Sequence, residues 1–103
     1  MQLDDVTRRA IENARRNIGA QEAILFGSRA RNEAGPDSDV DVCFLFLVFP
    51  EDPLELMFKL RRSIHETTDE ALDILVYEQT TFDAKAALSH SFEHVIRTEG
   101  VAV

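Results

Sequence analysis

Three aspartates in this sequence are spaced as a metal-dependent phosphoryl-transfer site would require. Asp39 and Asp41 flank one valine at the start of an apolar run, and Asp73 opens a second apolar run over 72–76. Residues i and i+2 of a strand point to the same side, so the first two carboxylates face one spot. Such carboxylates repel each other unless a cation lies between them, and Mg²⁺ prefers oxygen ligands. If the two runs pair, Asp73 completes a site suited to two-metal transfer.

A second feature, upstream of the acids, is suited to phosphate. Gly27 and Ser28 close the short apolar run 23–26. Glycine lets the backbone approach a ligand, and the N-terminus of a following helix offers N–H groups and a positive dipole end. The Ser28 hydroxyl adds a donor, and Arg29 and Arg31 lie in the same turn, where one or both could neutralise a polyphosphate. Each feature alone is common in ordinary turns, whereas the combination favours a nucleotide site.

These residues need a sheet to position them, and the hydrophobic pattern predicts one. The run 39–49 does not alternate with polar residues, which indicates a central strand covered on both faces. The predicted elements are a helix over 4–18, a strand over 23–26, a short helix over 28–34, a strand over 39–49, a helix from 53, a strand over 72–77 and a final helix between 81 and 99. This α-β-α-β-α-β-α order predicts one α/β (α+β) domain over residues 1–103, with a mixed sheet and helices packed on it.

The helices are expected to turn apolar stripes to the core. In the first helix the stripe comprises Val6, Ala10, Ala14 and Ile18, and in the third it comprises Met57, Leu60 and Ile64. Asp52, Pro53 and Glu55 form a typical helix start, with an aspartate cap followed by proline. Residues 101–103 read as a short apolar tail, which we expect to lie near a partner-binding surface because it is too apolar for a free terminus.

The composition argues against several classes of function. The formal net charge of −8 argues against a groove for long DNA or RNA, because an acidic surface repels the phosphate backbone. The single cysteine, Cys43, permits no intrachain disulfide and is expected to be a small buried hydrophobe. The longest apolar run is too short to span a bilayer, and residues 1–5 do not resemble a signal peptide. We therefore expect a cytoplasmic protein without a membrane segment.

The two motifs together resemble a known family. The block GSRAR at 27–31 precedes the block SDVDV at 38–42, and ten residues separate the serine of the first from the first aspartate of the second. This resembles the signature of the DNA polymerase beta-like nucleotidyltransferase superfamily, and within it the minimal nucleotidyltransferase (MNT) group of antitoxin type. Asp73 falls where the family places its third carboxylate, and 96–100 resembles the family's usual ending. The segment 32–36 is less basic than in typical members.

The resemblance implies a chemistry. Family members transfer a nucleoside monophosphate, commonly AMP from ATP, with Mg²⁺. By this likeness Asp39 and Asp41 would hold two Mg²⁺ ions, and Asp73 would bind the catalytic metal and help to activate the acceptor hydroxyl. Gly27 and Ser28 would hold the triphosphate. Many small members act as antitoxins to an HEPN-type ribonuclease toxin, and some adenylylate a tyrosine on that toxin.

Two other functions remain open at this stage. The chain could mask a partner toxin without catalysis, although a pure binder does not need clustered acids. It could instead modify a small molecule such as an antibiotic, although such enzymes usually use a second domain to hold the acceptor. The sequence does not name the acceptor, the preferred base or the state of homo- or hetero-oligomerisation. His90 and His94 have metal-ligand spacing, but without the H-E-x-x-H pattern we expect both to be dispensable.

Overall fold

The computed structural model describes residues 1–103 and contains one four-stranded sheet. Its strands are β1 (Glu22–Phe26), β2 (Val40–Phe46), β3 (Leu72–Glu78) and β4 (Val101–Ala102). Its helices are α1 (Asp5–Ile18), α2 (Gly27–Ala30), α3 (Pro53–Ile64), α4 (Gln79–Ala86) and α5 (Phe92–Glu99). None of these helices has both the length and the apolar character needed to cross a bilayer. The predicted mixed α/β fold is confirmed.

The strand order β3-β2-β1-β4 brings the ends of three strands to one edge of the sheet. Strand β1 pairs antiparallel with β2, and β2 pairs in parallel with β3. Helix α3 lies in the connection between the two parallel strands. The C-terminal end of β1 therefore lies beside the N-terminal ends of β2 and β3. Phe26, Asp41 and Asp73 lie side by side at these three strand ends, which we call the acid edge.

Helices cover both faces of the sheet. Buried residues of α1 and α3 pack with one set of strand residues, and buried residues of α4 and α5 pack with the alternate set. Strand β2 lies between these two layers, and its Val40, Val42, Cys43, Phe44, Leu45 and Phe46 are all fully buried. The prediction of a central strand without polar alternation is thus confirmed.

The first helix faces the core with a different stripe from the predicted one. Val6 is 55% exposed, whereas Thr7 and Ile11 are buried together with Ala10 and Ala14. A spacing of four residues drifts around the helix by about 40° at each step, because a turn takes about 3.6 residues. The observed spacing i, i+3, i+4, i+7 keeps the stripe on one side, and this geometry excludes Val6.

The third helix follows the sequence prediction closely. Asp52 caps it by accepting a hydrogen bond from the Leu54 N–H at 2.9 Å, and Pro53 occupies the first turn. Leu60 and Ile64 are buried as predicted. The third buried residue is Leu56, and the predicted Met57 is half-buried at the margin of the core.

Two predicted elements are shorter than expected. The second helix ends at Ala30 rather than Ala34, because Asn32 takes a φ of 61°, in the left-handed region. Strand β2 ends at Phe46, and Leu47 and Val48 then turn into solvent with 65% and 69% exposure. The strand also starts at Val40, one residue after the predicted first position.

The C-terminal quarter differs most from the prediction. The single expected helix is two helices, and Ser91 begins the second by accepting a hydrogen bond from the His94 N–H at 3.0 Å. The apolar tail is strand β4, whose Val101 and Ala102 pair with Leu25 and Ile24. The tail is thus part of the sheet and not a free terminus, and the partner surface predicted near it stays a prediction.

Candidate functional site

Asp41 and Asp73 are direct neighbours across two parallel strands. They form a register pair between β2 and β3, and Asp39 precedes β2 by one residue. Asp41 is half-buried, and the other two are exposed. Alternation along the strands places Asp41 and Asp73 on the sheet face that α4 and α5 cover farther along. The structure thus brings the three predicted carboxylates to the acid edge, although Asp39 lies outside the strand.

The charges of these carboxylates act on one another. The pKa of Asp41 is raised above its ordinary value, mainly because burial penalises the charged form and next because Asp73 and Asp39 repel it. Arg31 and Arg29 partly offset this by favouring the charged form. The acid edge therefore holds more negative charge than its own residues neutralise, and a cation would stabilise it.

The Asp41 carboxylate occupies the space that a side chain at Gly27 would need. A Cβ atom at this position would overlap Asp41 Oδ2 and lie 3.1 Å from its Cγ. The residue also has a φ of 72°, a conformation that side chains disfavour. Both facts require glycine here, and they place this backbone turn in direct contact with the Asp41 carboxylate.

Ser28 and Arg31 remain accessible to a ligand. Ser28 is half-buried, and it lies at the second position of α2. Phe26 takes the cap position without a side-chain hydrogen bond. The Arg31 side chain is 40% exposed and makes an ion pair with Glu33, at 3.1 Å from Nε to Oε2. Of the two arginines that lower the pKa of Asp41, Arg31 has the larger effect.

Arg29 has different surroundings from Arg31. Its side chain is only 15% exposed. Its guanidinium donates to the Ser38 carbonyl at 2.9 and 3.3 Å, to the Gln2 carbonyl at 3.3 Å and to Glu70 Oε2 at 3.1 Å. The structure therefore brings Arg29 near the acid edge but surrounds it with protein acceptors.

Sequence reasoning missed the residues that shape the loop between α2 and β2. The Gln2 side-chain amide accepts from the Ala34 N–H at 2.7 Å and donates to the Ala34 carbonyl at 3.4 Å. Ser38 Oγ accepts from the Gly35 N–H at 2.9 Å. A polar residue before the first helix gives no signal of such contacts, whereas the Gly-Pro-Asp-Ser turn could have indicated the second one.

An open cavity of about 430 Å³ is lined by residues 36–38, which lead into Asp39, and by residues 68–71, which lead into β3. Its lining is polar apart from one hydrophobic residue. Asp39, Asp41 and Asp73 are not among the lining residues, so the cavity adjoins the acid edge only through the loops that precede these acids.

The donor set fits a hard divalent cation. Carboxylate oxygens are the ligands that Mg²⁺ takes, and Mg²⁺ usually combines one or two of them with substrate phosphates and water. No three or more His, Cys, Asp or Glu side chains of the chain lie close enough together to hold a metal ion by themselves. Asp39, Asp41 and Asp73 would therefore supply part of a coordination shell that a bound triphosphate completes.

The residues set aside on sequence grounds have ordinary surroundings. His90 is exposed, and His94 Nδ1 lies 2.9 Å from the Ala86 carbonyl oxygen, where it links the two C-terminal helices. Cys43 is fully buried, and burial raises the pKa of its thiol to about 12. The prediction that Cys43 is a buried hydrophobe is confirmed.

Comparisons with known proteins agree with this geometry. A family profile described as "Nucleotidyltransferase domain" matches residues 7–96. The crystal structure of a proposed nucleotidyltransferase from Sulfolobus solfataricus superposes with a TM-score of 0.61 at 20% identity, over 94% of this chain and 75% of that chain. No protein of curated function matches the sequence. The profile covers all the residues placed at the acid edge, and the superposition supports the fold.

Proposed function

The chain belongs to the nucleotidyltransferase domain family, and we propose that it transfers AMP from ATP to a hydroxyl group with Mg²⁺ as cofactor. The observation that carries this proposal is the pairing of Asp41 with Asp73, with Asp39 one residue before β2 and the Gly27 backbone in contact with the Asp41 carboxylate. Family membership supports nucleotidyl transfer in general. The choice of AMP follows from the likeness to the minimal nucleotidyltransferase group.

The residues of the acid edge divide the work of this reaction. Gly27 and Ser28 cradle the triphosphate, and Arg31 neutralises part of its charge. Asp39 and Asp41 would hold the Mg²⁺ ions, which would supply charge neutralisation for the triphosphate and the leaving group. Asp73, beside Asp41, would help to bind the catalytic metal and would accept the proton of the acceptor hydroxyl.

The reaction itself is an in-line displacement. The acceptor oxygen forms a bond to the α-phosphorus, the bond between the α-phosphorus and its bridging oxygen breaks, and pyrophosphate leaves. The protein contributes mainly positioning and charge neutralisation, because the triphosphate already carries the leaving group.

We further propose that the acceptor hydroxyl belongs to a protein partner, an HEPN-type toxin, and that modification makes this chain its antitoxin. The likeness to the minimal nucleotidyltransferase group motivates this choice of partner. The open cavity lined by 36–38 and 68–71 supports it, because these loops lead into Asp39 and β3 and include no helix residue. A macromolecule that docks there would hold its hydroxyl near the α-phosphate.

Label transfer tests the proposal. The protein is incubated with each labelled nucleoside triphosphate, Mg²⁺ and the protein encoded beside it, and the products are analysed by mass spectrometry. We expect the partner to gain the mass of AMP, and we expect Asp41→Asn and Asp73→Asn to abolish that gain. Label on a small molecule alone would remove the antitoxin role but not the transferase. Full transfer by both variants would refute the assignment of the acid edge.

A further inference from the structure

Arg29 forms four hydrogen bonds to other parts of the chain. Two join it to the Ser38 carbonyl, one to the Gln2 carbonyl and one to Glu70 Oε2, at 2.9–3.3 Å. A guanidinium has five N–H donors, so the chain itself engages most of them. With 15% of its side chain exposed, Arg29 has little left to offer a phosphate. Arg31, 40% exposed and bonded only to Glu33, has the opposite character.

Two of the residues that accept hydrogen bonds from Arg29 lie shortly before the acids in the sequence. Ser38 is the residue before Asp39, and Glu70 lies three residues before Asp73. Arg29 itself follows Gly27 by two residues. A single side chain therefore links the three chain segments that carry the triphosphate turn and the two groups of carboxylates.

We propose that Arg29 is a positioning residue that sets the separation between the carriers of Asp39 and Asp73, rather than a ligand of the triphosphate. This inference rests on the proposed function of the acid edge. Ser38 and Glu70 also belong to the two segments that line the cavity, and the Arg29 guanidinium bonds both of them. It places a positive charge between segments that are otherwise acidic.

Loss of this connection would act on the distance between the reacting groups. Without Arg29 the segment 36–38 and the segment 68–71 lose their shared hydrogen-bond partner, and the carboxylates of Asp37, Asp69 and Glu70 lose the charge between them. A displacement of about 1 Å in a transfer site can cost about 100-fold in rate. The expected effect is therefore on kcat.

The test compares Arg29→Lys with Arg16→Lys, since each change keeps the positive charge. Arg16 is an exposed residue of α1 whose side chain pairs with Glu12. One ammonium cannot reproduce the several N–H groups with which a guanidinium bonds three separate acceptors, so we expect Arg29→Lys to lower kcat about 100-fold with little change in the KM for ATP. Arg16→Lys should keep kcat within a few-fold, and Arg31→Met, which removes a charge from the proposed triphosphate site, should raise the KM for ATP. Thermal melting identifies any loss of folding. An Arg29→Lys variant with parental kcat, or with only KM raised, would overturn the inference.

Two further measurements separate this inference from the proposed function. The effects of Arg29→Lys and Glu70→Gln on kcat should be non-additive, because the two side chains share one contact. Calorimetric titration with Mn²⁺ alone needs no turnover, and Arg29→Lys should weaken Mn²⁺ binding although the charge is unchanged. If the parent binds Mn²⁺ without transferring a nucleotide, weaker binding by Arg29→Lys still supports the positioning role. Unchanged Mn²⁺ affinity, or no binding by the parent, contradicts it.

Discussion

The Asp41 carboxylate fills the space that a side chain at Gly27 would need. Gly27 begins α2 directly after β1, whose last residue, Phe26, pairs with Asp41. A backbone turn for phosphate and a carboxylate for a cation are thereby held in contact. The pair explains why the glycine and the aspartate act as one unit.

Gly27→Ala should destabilise the protein and abolish nucleotidyl transfer. A non-glycine residue in the left-handed region costs about 1–2 kcal/mol, and here the new methyl group also displaces the Asp41 carboxylate. Gly19→Ala is a matched control, because Gly19 has a φ of 94° but nothing within 4 Å of its Cβ position. We expect Gly19→Ala to lose stability in urea unfolding but to keep its activity. Equal activity losses in both variants would show that only backbone strain matters.

Asp41→Asn should raise the melting temperature at neutral pH in the absence of divalent cations. Burial and the charges of Asp73 and Asp39 raise the pKa of Asp41, so the folded chain holds this proton more tightly than the unfolded chain. The charged form therefore lowers the free energy of unfolding above the folded pKa, and this penalty vanishes as the pH falls below the ordinary value of 3.8.

The gain in Asp41→Asn should accordingly shrink as the pH is lowered. It should also shrink when Mg²⁺ is added, because the parent then gains stability from binding. Asp37→Asn, at an exposed position of the neighbouring loop, controls for a general change of net charge. Differential scanning calorimetry across pH measures both effects. A variant that melts below the parent at neutral pH without Mg²⁺ would contradict the electrostatic account.

Gly100→Ala should disrupt the attachment of β4. A Cβ atom at Gly100 would overlap the Ile24 side chain and the Ile96 carbonyl oxygen, and it would lie 3.2 Å from the Leu25 carbonyl oxygen. Overpacking of this kind costs about 1–3 kcal/mol, and it should be measurable by urea unfolding. Gly35→Ala, where nothing lies within 4 Å, should leave stability nearly unchanged. Similar losses in both variants would mean that β4 tolerates displacement.

Cys43 should react with alkylating agents only when the chain opens. Its thiol is fully buried in the central strand, and burial raises its pKa to about 12, so little thiolate is present near neutral pH. We expect no mass increase in native protein treated with iodoacetamide, and complete labelling in denaturant. Rapid labelling of the native protein would show that β2 opens far more often than its packing indicates.

The acid edge was predictable because its signals are local in sequence. Asp39 and Asp41 are two residues apart, and the apolar runs that follow the acids identify the strands that carry them. The hydrophobic pattern predicts that both runs are strands of one core, but their pairing remained a condition until the structure was known. The structure confirms that β2 and β3 are neighbours and that Asp41 pairs with Asp73.

The contacts of Arg29 were not predictable in this way. Its partners Gln2 and Glu70 are 27 and 41 residues away, and no periodicity reports such distant polar pairs. The same limit applies to β4, because a strand of two residues has no alternation to detect. The early end of α2 depends on the left-handed conformation of Asn32, which asparagine tolerates but does not require.

The parallel ladder between β2 and β3 is unequal along its length. Seven register pairs run from Val40 and Leu72 to Phe46 and Glu78, and the repelling pair of Asp41 and Asp73 is the second of them. Strand separation should therefore begin at that end and proceed towards the pair of Phe46 and Glu78. Amide hydrogen exchange should be fastest there, and a bound divalent cation should slow it. The cation used in the reaction would then also hold β2 and β3 together at this end of the sheet.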